Sequence, residues 1–144
     1  MKNKFYHPLM HDNITFQDRK VAANFLMKNN IFTQSKKVKE FENKWSKWLG
    51  VKYSVFVNSG SSANLITMLA LKILKGNGEV IVPTLTWISD IASVIQNGFK
   101  PVFVDINPTN LCMNEEDIIK NINGKTKAVF MSHIQGFNGL SSNL

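Results

Sequence analysis

The sequence contains a single cysteine, Cys112, among its 144 residues. One thiol cannot form an internal disulfide, and it cannot provide the several thiolates of a cysteine-based metal site. The chain therefore folds without covalent cross-links, as proteins of a reducing compartment do. We expect a cytoplasmic protein.

The sequence also lacks a long apolar run. No stretch approaches the roughly 20 apolar residues that a membrane-spanning helix needs. The N-terminal residues Met-Lys-Asn-Lys-Phe-Tyr-His-Pro contain no apolar segment of the kind that secretory signal peptides have. We therefore expect neither a membrane partner nor export.

Acidic residues are few: 10 Asp and Glu stand against 17 Lys and Arg, which gives a net charge of +7. Such an excess favours an anionic partner. The basic residues are scattered, however, and the densest run is only Lys36-Lys37-Val38-Lys39. A basic stripe interleaved with exposed aromatic residues is missing, so nucleic-acid binding is the last of our hypotheses. His7 and His11 do not indicate a metal site.

Hydrophobic residues make up 44% of the chain, enough for an ordinary packed core. Apolar residues at helical spacing predict helices, and short β-branched or aromatic runs predict strands. The predicted helices span 16–28, 38–48, 61–75, 87–96 and 114–121, and the predicted strands span 53–57, 79–82, 101–106 and 127–131.

Strands and helices alternate in the second part of the chain, and each strand is an almost unbroken apolar run. This pattern is typical of a parallel sheet covered by helices on both faces, so the predicted class is α/β. We divide the chain into a leader with the first helix, 1–34, and an incomplete main domain, 35–144. Because nothing follows 133–144 to cover the sheet, we expect a chain cut in mid-fold that is poorly soluble by itself.

The most informative stretch joins the first predicted strand to the next helix, Asn58-Ser59-Gly60-Ser61-Ser62-Ala63. The free backbone N–H groups at a helix start and the helix dipole favour an anion such as phosphate. Gly60 allows close approach of a ligand, and the hydroxyls of Ser61 and Ser62 can add donors. The motif is neither a P-loop nor a dinucleotide fingerprint. Alternatively, Ser61 merely caps the helix.

Three further side chains follow the carboxyl ends of predicted strands. Trp87 comes after 79–82, and His133 and Gln135 come after 127–131. Ligands of open α/β sheets bind at this edge, where an indole can stack on a heteroaromatic ring. The alternatives are that Trp87 is a core or helix-start aromatic and that His133 is structural. Trp45 and Trp48 lie on an amphipathic helical stripe, which favours packing or a subunit contact.

Together these stretches resemble the DegT/DnrJ/EryC1/StrS aminotransferases. The resemblance covers almost the whole chain: Phe32-Thr33-Gln34-Ser35, the Asn58–Ala63 turn, Glu79–Val82 with Pro83 and Trp87, Pro101–Ile106, and Lys125–Val129. Ser62 stands where many members have alanine, and Ile134–Asn138 differ from the commoner Leu-Tyr-Gly-type loop.

The resemblance implies the large domain of a pyridoxal-phosphate-dependent transferase of fold type I. Gly60, Ser61 and Ser62 would then hold the phosphate of pyridoxal 5'-phosphate, and Trp87 would stack on its ring. The lysine that forms the Schiff base lies beyond Leu144 in this pattern, so the chain alone should be inactive. The resemblance also implies a homodimer, a nucleotide-linked keto-sugar, an amino donor and a role in O-antigen or other polysaccharide biosynthesis.

Two other functions remain open at this point. Gly-Ser-Ser-Ala-Asn is similar to the family's 3-dehydrases of CDP-linked 4-keto-6-deoxy sugars, in which a histidine replaces the lysine. A non-catalytic phosphate-binding or interaction module is the second alternative.

Overall fold

The computed structural model describes residues 12–140. These residues form two compact units, 12–56 and 57–140, which we describe separately. The predicted boundary after residue 34 stays a prediction. His7 and His11 lie outside the described residues. Within 12–140, no helix combines the length and apolarity needed to cross a membrane.

The first unit contains two helices, α1 (Phe16–Lys28) and α2 (Lys36–Leu49). Thr15 caps α1 in a capping box with Asp18. Helix α2 ends at Gly50, whose φ of 77° is the left-handed conformation that glycine adopts most easily. Both helices agree closely with the sequence prediction.

An aromatic row runs along α2. The ring centroids of Phe41 and Trp45 are 5.9 Å apart, and those of Trp45 and Trp48 are 4.9 Å apart. Phe56 meets Phe41 edge-on at 5.4 Å. The rings contact one another, but Phe41, Trp45 and Trp48 are all exposed. The packing or subunit contact expected of this stripe stays a prediction.

The prediction of a strand at 53–57 was wrong. These residues have no regular secondary structure, and Val55 and Phe56 are exposed. A strand needs a hydrogen-bonded neighbour, and no other segment of 12–140 pairs with this one. A β-rich composition does not supply that neighbour.

The second unit alternates helices and strands, as the sequence predicted. Its elements are α3 (Gly60–Lys75), β1 (Glu79–Pro83), α4 (Ile88–Gln96), β2 (Lys100–Val104), α5 (Glu115–Asn121), β3 (Thr126–Val129) and a 3-10 turn, Ile134–Gly136. The strands form a parallel sheet in the order β2-β1-β3.

The central strand β1 is buried on both faces. Val80 and Val82 pack with Met68 of α3 and Val94 of α4, whereas Ile81 packs on the opposite face with Ile118 of α5. Because successive side chains of a strand point to opposite faces, an unbroken apolar run such as Val80–Val82 implies helices on both sides. The predicted α/β class with a helix-covered parallel sheet is confirmed.

Glu79 is the first residue of β1, and its carboxyl group makes the stability of the fold depend on pH. Its carboxylate accepts hydrogen bonds from Asn123 Nδ2 at 3.0 Å and Lys100 Nζ at 3.1 Å. These bonds, with the one from Asn123 contributing most, lower the pKa of Glu79 below its ordinary value of 4.5. A lowered pKa means that the folded protein favours the ionised carboxylate.

We therefore expect Glu79 to stabilise the fold above pH 4.5 and to lose this contribution as the pH falls through its folded pKa. Urea unfolding at several pH values should show wild type more stable than Glu79→Gln at pH 7, with the difference shrinking in acid. A difference that stays constant between neutral and acidic pH would contradict the assignment.

Candidate functional site

The site lies where the parallel strands end. β1 ends at Pro83 and leads through Thr84 to Trp87, and β3 ends at Val129 and leads to His133. The Thr84 amide donates to the Val104 carbonyl at 3.1 Å, which keeps this edge of the sheet closed. Such an edge is where ligands of open α/β sheets bind.

The start of α3 is fixed by a cap, but the cap is Ser59. Its hydroxyl accepts from the Ser62 amide at 3.1 Å, and its carbonyl accepts from the Ala63 amide at 3.1 Å. The Ser62 hydroxyl donates to the Asn58 side chain at 2.7 Å. The alternative in which Ser61 is merely the helix cap was therefore wrong.

This arrangement leaves Gly60 and Ser61 available. Their amides, and the Ser61 hydroxyl, make no hydrogen bond to any other group of residues 12–140. A Cβ placed on Gly60 would point into open space. The first turn of α3 has no acidic residue that would compete for the positive end of this 16-residue helix.

Trp87 stands at the start of α4. It is the residue before the helix and its side chain is 73% exposed. The core half of the alternative was therefore wrong, since a core indole would be covered. The helix-start half agrees with the position of Trp87 directly before α4. An exposed indole beside a cleft offers a flat face to a ring.

The starts of α3 and α4 are adjacent. Asn64, one turn into α3, donates from Nδ2 to Asp90 Oδ1 at 2.7 Å, and Asp90 lies in the first turn of α4. Since Trp87 immediately precedes α4, the indole and the Gly60 turn lie at the same end of the sheet. The sequence predicted this placement.

Asp90 is the important residue that sequence reasoning missed. It is 8% exposed, and its second oxygen, Oδ2, accepts from Thr86 Oγ1 at 2.5 Å and Ser132 Oγ at 2.8 Å. Within 12–140 it has no salt-bridge partner. The available signal was that Asp90 is the one charged residue in the sequence of α4.

His133 and Gln135 reach the same edge, as predicted. His133 Nδ1 accepts from the Gly139 amide at 3.1 Å, so in the neutral ring the proton is on Nε2. Gln135 has a φ of 53°, the left-handed region. Both side chains are exposed.

These segments enclose an open cleft of about 470 Å³. It is lined by Leu85, Thr86, Trp87, Asp90, Leu111, Ser132, His133, Ile134 and Gln135. The cleft combines an indole face, hydroxyl groups and an imidazole donor, and the Gly60 turn starts the neighbouring helix. This chemistry suits a phosphorylated aromatic ligand. Residues 12–140 contain no cluster of three His, Cys, Asp or Glu that could hold a metal.

A phosphorylated pyridine cofactor fits the residues present. Gly60 and Ser61 offer unused amide donors for a phosphate, and the exposed Trp87 offers a stacking surface for a ring. Among the residues that line the cleft there is no lysine. Gly60 and Ser61 are likewise not among the lining residues. The cleft itself therefore provides no amine for covalent attachment.

Comparison with known proteins identifies relatives over most of the chain. Residues 14–139 match the model of the DegT/DnrJ/EryC1/StrS aminotransferase family. GDP-perosamine synthase of Vibrio cholerae is 33% identical over 129 residues, covering 90% of this chain and 35% of the relative. GDP-4-keto-6-deoxy-D-mannose 3-dehydratase of Yersinia pseudotuberculosis is 35% identical over 121 residues, covering 80% and 30%.

The fold has matching solved structures. The Escherichia coli GDP-4-keto-6-deoxy-D-mannose-3-dehydratase with bound hydrated pyridoxal phosphate superimposes with a TM-score of 0.77 at 31% identity, covering 86% of this chain and 33% of that one. The chain thus spans about a third of the length of these relatives. The resemblance inferred from the motifs is confirmed.

Proposed function

Because the chain belongs to the DegT/DnrJ/EryC1/StrS aminotransferase family, we propose that it is the amino-terminal part of a pyridoxal-phosphate enzyme that aminates a nucleotide-linked keto-sugar. The observation that carries the proposal is the pair of unused amides, Gly60 and Ser61, at the same end of the sheet as the exposed indole of Trp87. When bound, the cofactor supplies an electron sink for chemistry at the carbon that bears nitrogen.

The roles of this chain's residues follow from their positions. Gly60 and Ser61 bind the phosphate through their amides, and the Ser61 hydroxyl adds a donor. Ser62 contributes by holding the turn, since its amide and hydroxyl already bond to Ser59 and Asn58. Trp87 orients the ring and excludes water from one of its faces.

His133 and Gln135 form the outer wall of the cleft. The Nε2–H of a neutral His133 is a fixed donor, because Nδ1 is taken by the Gly139 amide. We assign this donor to an oxygen of the bound cofactor or sugar.

The relatives indicate the substrate class. Both curated relatives are named after GDP-linked sugars. These names support a GDP-linked 4-keto-6-deoxy sugar, rather than a CDP-linked one, as the substrate of the complete enzyme. An amino donor and a role in surface polysaccharide biosynthesis belong to the same proposal.

The exposed apolar residues of α3, Leu69, Ile73 and Leu74 among them, support a larger or homodimeric protein that covers this face.

A second candidate is the dehydration of the same class of sugar. The 3-dehydratase similarity, together with the Gly-Ser-Ser-Ala-Asn form of the α3 turn, favours it. The two candidates differ in the residue that faces the cofactor, which is a lysine in one and a histidine in the other.

The complete gene product tests the proposal. Incubation with pyridoxal 5'-phosphate should produce a bound chromophore, and borohydride followed by peptide mass mapping should place a cofactor-derived mass on one lysine beyond residue 144. Binding of the chromophore without any labelled lysine would favour the dehydration candidate.

Pyridoxal, which lacks the phosphate, is the matched control ligand and should bind at least roughly a hundredfold more weakly if the α3 amides hold the phosphate. Two results would contradict the proposal: stoichiometric labelling of a lysine within 12–140, or equal affinity for pyridoxal and its phosphate.

A further inference from the structure

We infer that Asp90 is the positioning residue that holds the phosphate turn, the indole and the imidazole in one arrangement. Three of the side chains bonded to its carboxylate are each linked to one of these groups: Asn64 lies on α3, Thr86 precedes Trp87, and Ser132 precedes His133. A fourth, Ser89, is the neighbour of Asp90 on α4 and donates to Oδ1 at 3.5 Å. The inference rests on the proposed function.

The two carboxylate oxygens of Asp90 accept hydrogen bonds from different segments of the chain. Oδ1 accepts from Asn64 at 2.7 Å, which joins α3, one turn after its start, to the first turn of α4. Oδ2 accepts from Thr86 at 2.5 Å and from Ser132 at 2.8 Å, and the two hydroxyl oxygens are themselves 2.6 Å apart. The buried carboxylate of Asp90 thus bonds to side chains that lie as far as 42 residues away in sequence.

The chemistry explains why a carboxylate occupies this position. An ionised carboxylate only accepts hydrogen bonds, and its two oxygens can satisfy several donors at once. A neutral amide has one acceptor and one donor group, so it cannot serve Asn64, Thr86 and Ser132 in the same way. Hydrogen bonds to a charged acceptor are also the stronger ones.

Such a network affects ligand binding through preorganisation. If Asp90 is altered, the indole and the α3 turn must be brought into place when the ligand binds, and the affinity falls by that cost. Asp90 also lines the cleft, but both of its carboxylate oxygens are bonded to protein groups, so we assign it a role that acts through Trp87 and the turn.

The test compares Asp90→Asn with Asn97→Ala in the complete gene product. Asn97 also joins α3 to α4, through its Nδ2 bond to the Leu65 carbonyl at 3.2 Å, but it lies at the far end of α4. Asp90→Asn should weaken pyridoxal 5'-phosphate binding roughly tenfold, measured by fluorescence quenching, whereas Asn97→Ala should change it less than about twofold.

A double variant with Trp87→Ala distinguishes a positioning role of Asp90 from general destabilisation of the protein. In a Trp87→Ala background, Asp90→Asn should weaken binding by no more than about threefold, because one of the three groups that Asp90 positions is gone. A tenfold effect that persists unchanged in that background, or a Kd unaffected by Asp90→Asn, would overturn the inference.

Amide hydrogen exchange, measured on the protein without its cofactor, tests the positioning role independently of the proposed function. Asp90→Asn should speed exchange in peptides that contain Thr86-Trp87 and Ser132-His133, and Asn97→Ala should not. If wild type fails to bind the cofactor while this exchange pattern appears, the proposed function is wrong and the positioning role stands. If exchange in these peptides is unchanged, the positioning role is wrong.

Discussion

Ser61→Asp is expected to remove phosphate binding while leaving the fold intact. The substitution places a carboxylate beside the two free amides at the start of α3, where a phosphate would lie. Two like charges about 4 Å apart near a protein surface repel by a few kcal/mol. The affinity of the complete gene product for pyridoxal 5'-phosphate should therefore fall roughly a hundredfold or more.

The same substitution should not destabilise the protein without its ligand. An acidic residue in the first turn of a helix interacts favourably with the helix dipole, by about 0.3–1 kcal/mol. The thermal midpoint of the ligand-free protein should stay constant or rise. Strong loss of affinity together with unchanged or improved stability is a combination that simple damage to the fold does not produce.

Thr67→Asp is the matched control, because Thr67 is exposed on the same helix but lies beyond the first turn. It adds the same charge away from the free amides and should change the affinity by less than about threefold. Equal losses in the two variants would show that net charge, and not the α3 start, determines binding.

Trp87→Ala should give the second large effect. The indole is 73% exposed, so its removal costs little stability. A stacked aromatic pair contributes about 0.5–1.5 kcal/mol beyond the area that it buries. We expect the affinity for pyridoxal 5'-phosphate, followed by absorbance titration, to fall roughly tenfold to a hundredfold, and Trp87→Phe to retain most of it.

Trp48→Ala is the control for the loss of an exposed indole. Trp48 is 74% exposed, close to the value for Trp87, and it lies on α2 in the other unit. Its replacement should leave the affinity within about twofold. A loss as large as that in Trp87→Ala would contradict the assignment of the stacking residue.

The fold was largely predictable from the sequence, because the features that indicate helices and strands lie within a few neighbouring residues. Apolar runs such as 79–82, bounded by glycine and proline, predict buried parallel strands without knowledge of their partners. The segment 53–57 has the same β-rich composition and forms no strand, since its pairing depends on another segment. Composition identifies residues that suit a strand, and only tertiary context provides the neighbour.

The site was predictable only in part, for the same reason. The α3 turn, Trp87 and His133 each follow a recognisable boundary of an element, so topology placed them on one edge. Asp90 could not be found in this way. Its partners Asn64 and Ser132 are 26 and 42 residues away, and no local spacing encodes a bond over such a separation. The capping role of Ser59 was missed because several adjacent serines were equally plausible caps.

A crystal structure of the complete gene product with pyridoxal 5'-phosphate tests the central claim most directly. We predict phosphate oxygens about 3 Å from the amide nitrogens of Gly60 and Ser61, with the pyridine ring stacked on the indole of Trp87. A phosphate held by other residues, or an indole that does not face the ring, would contradict the account.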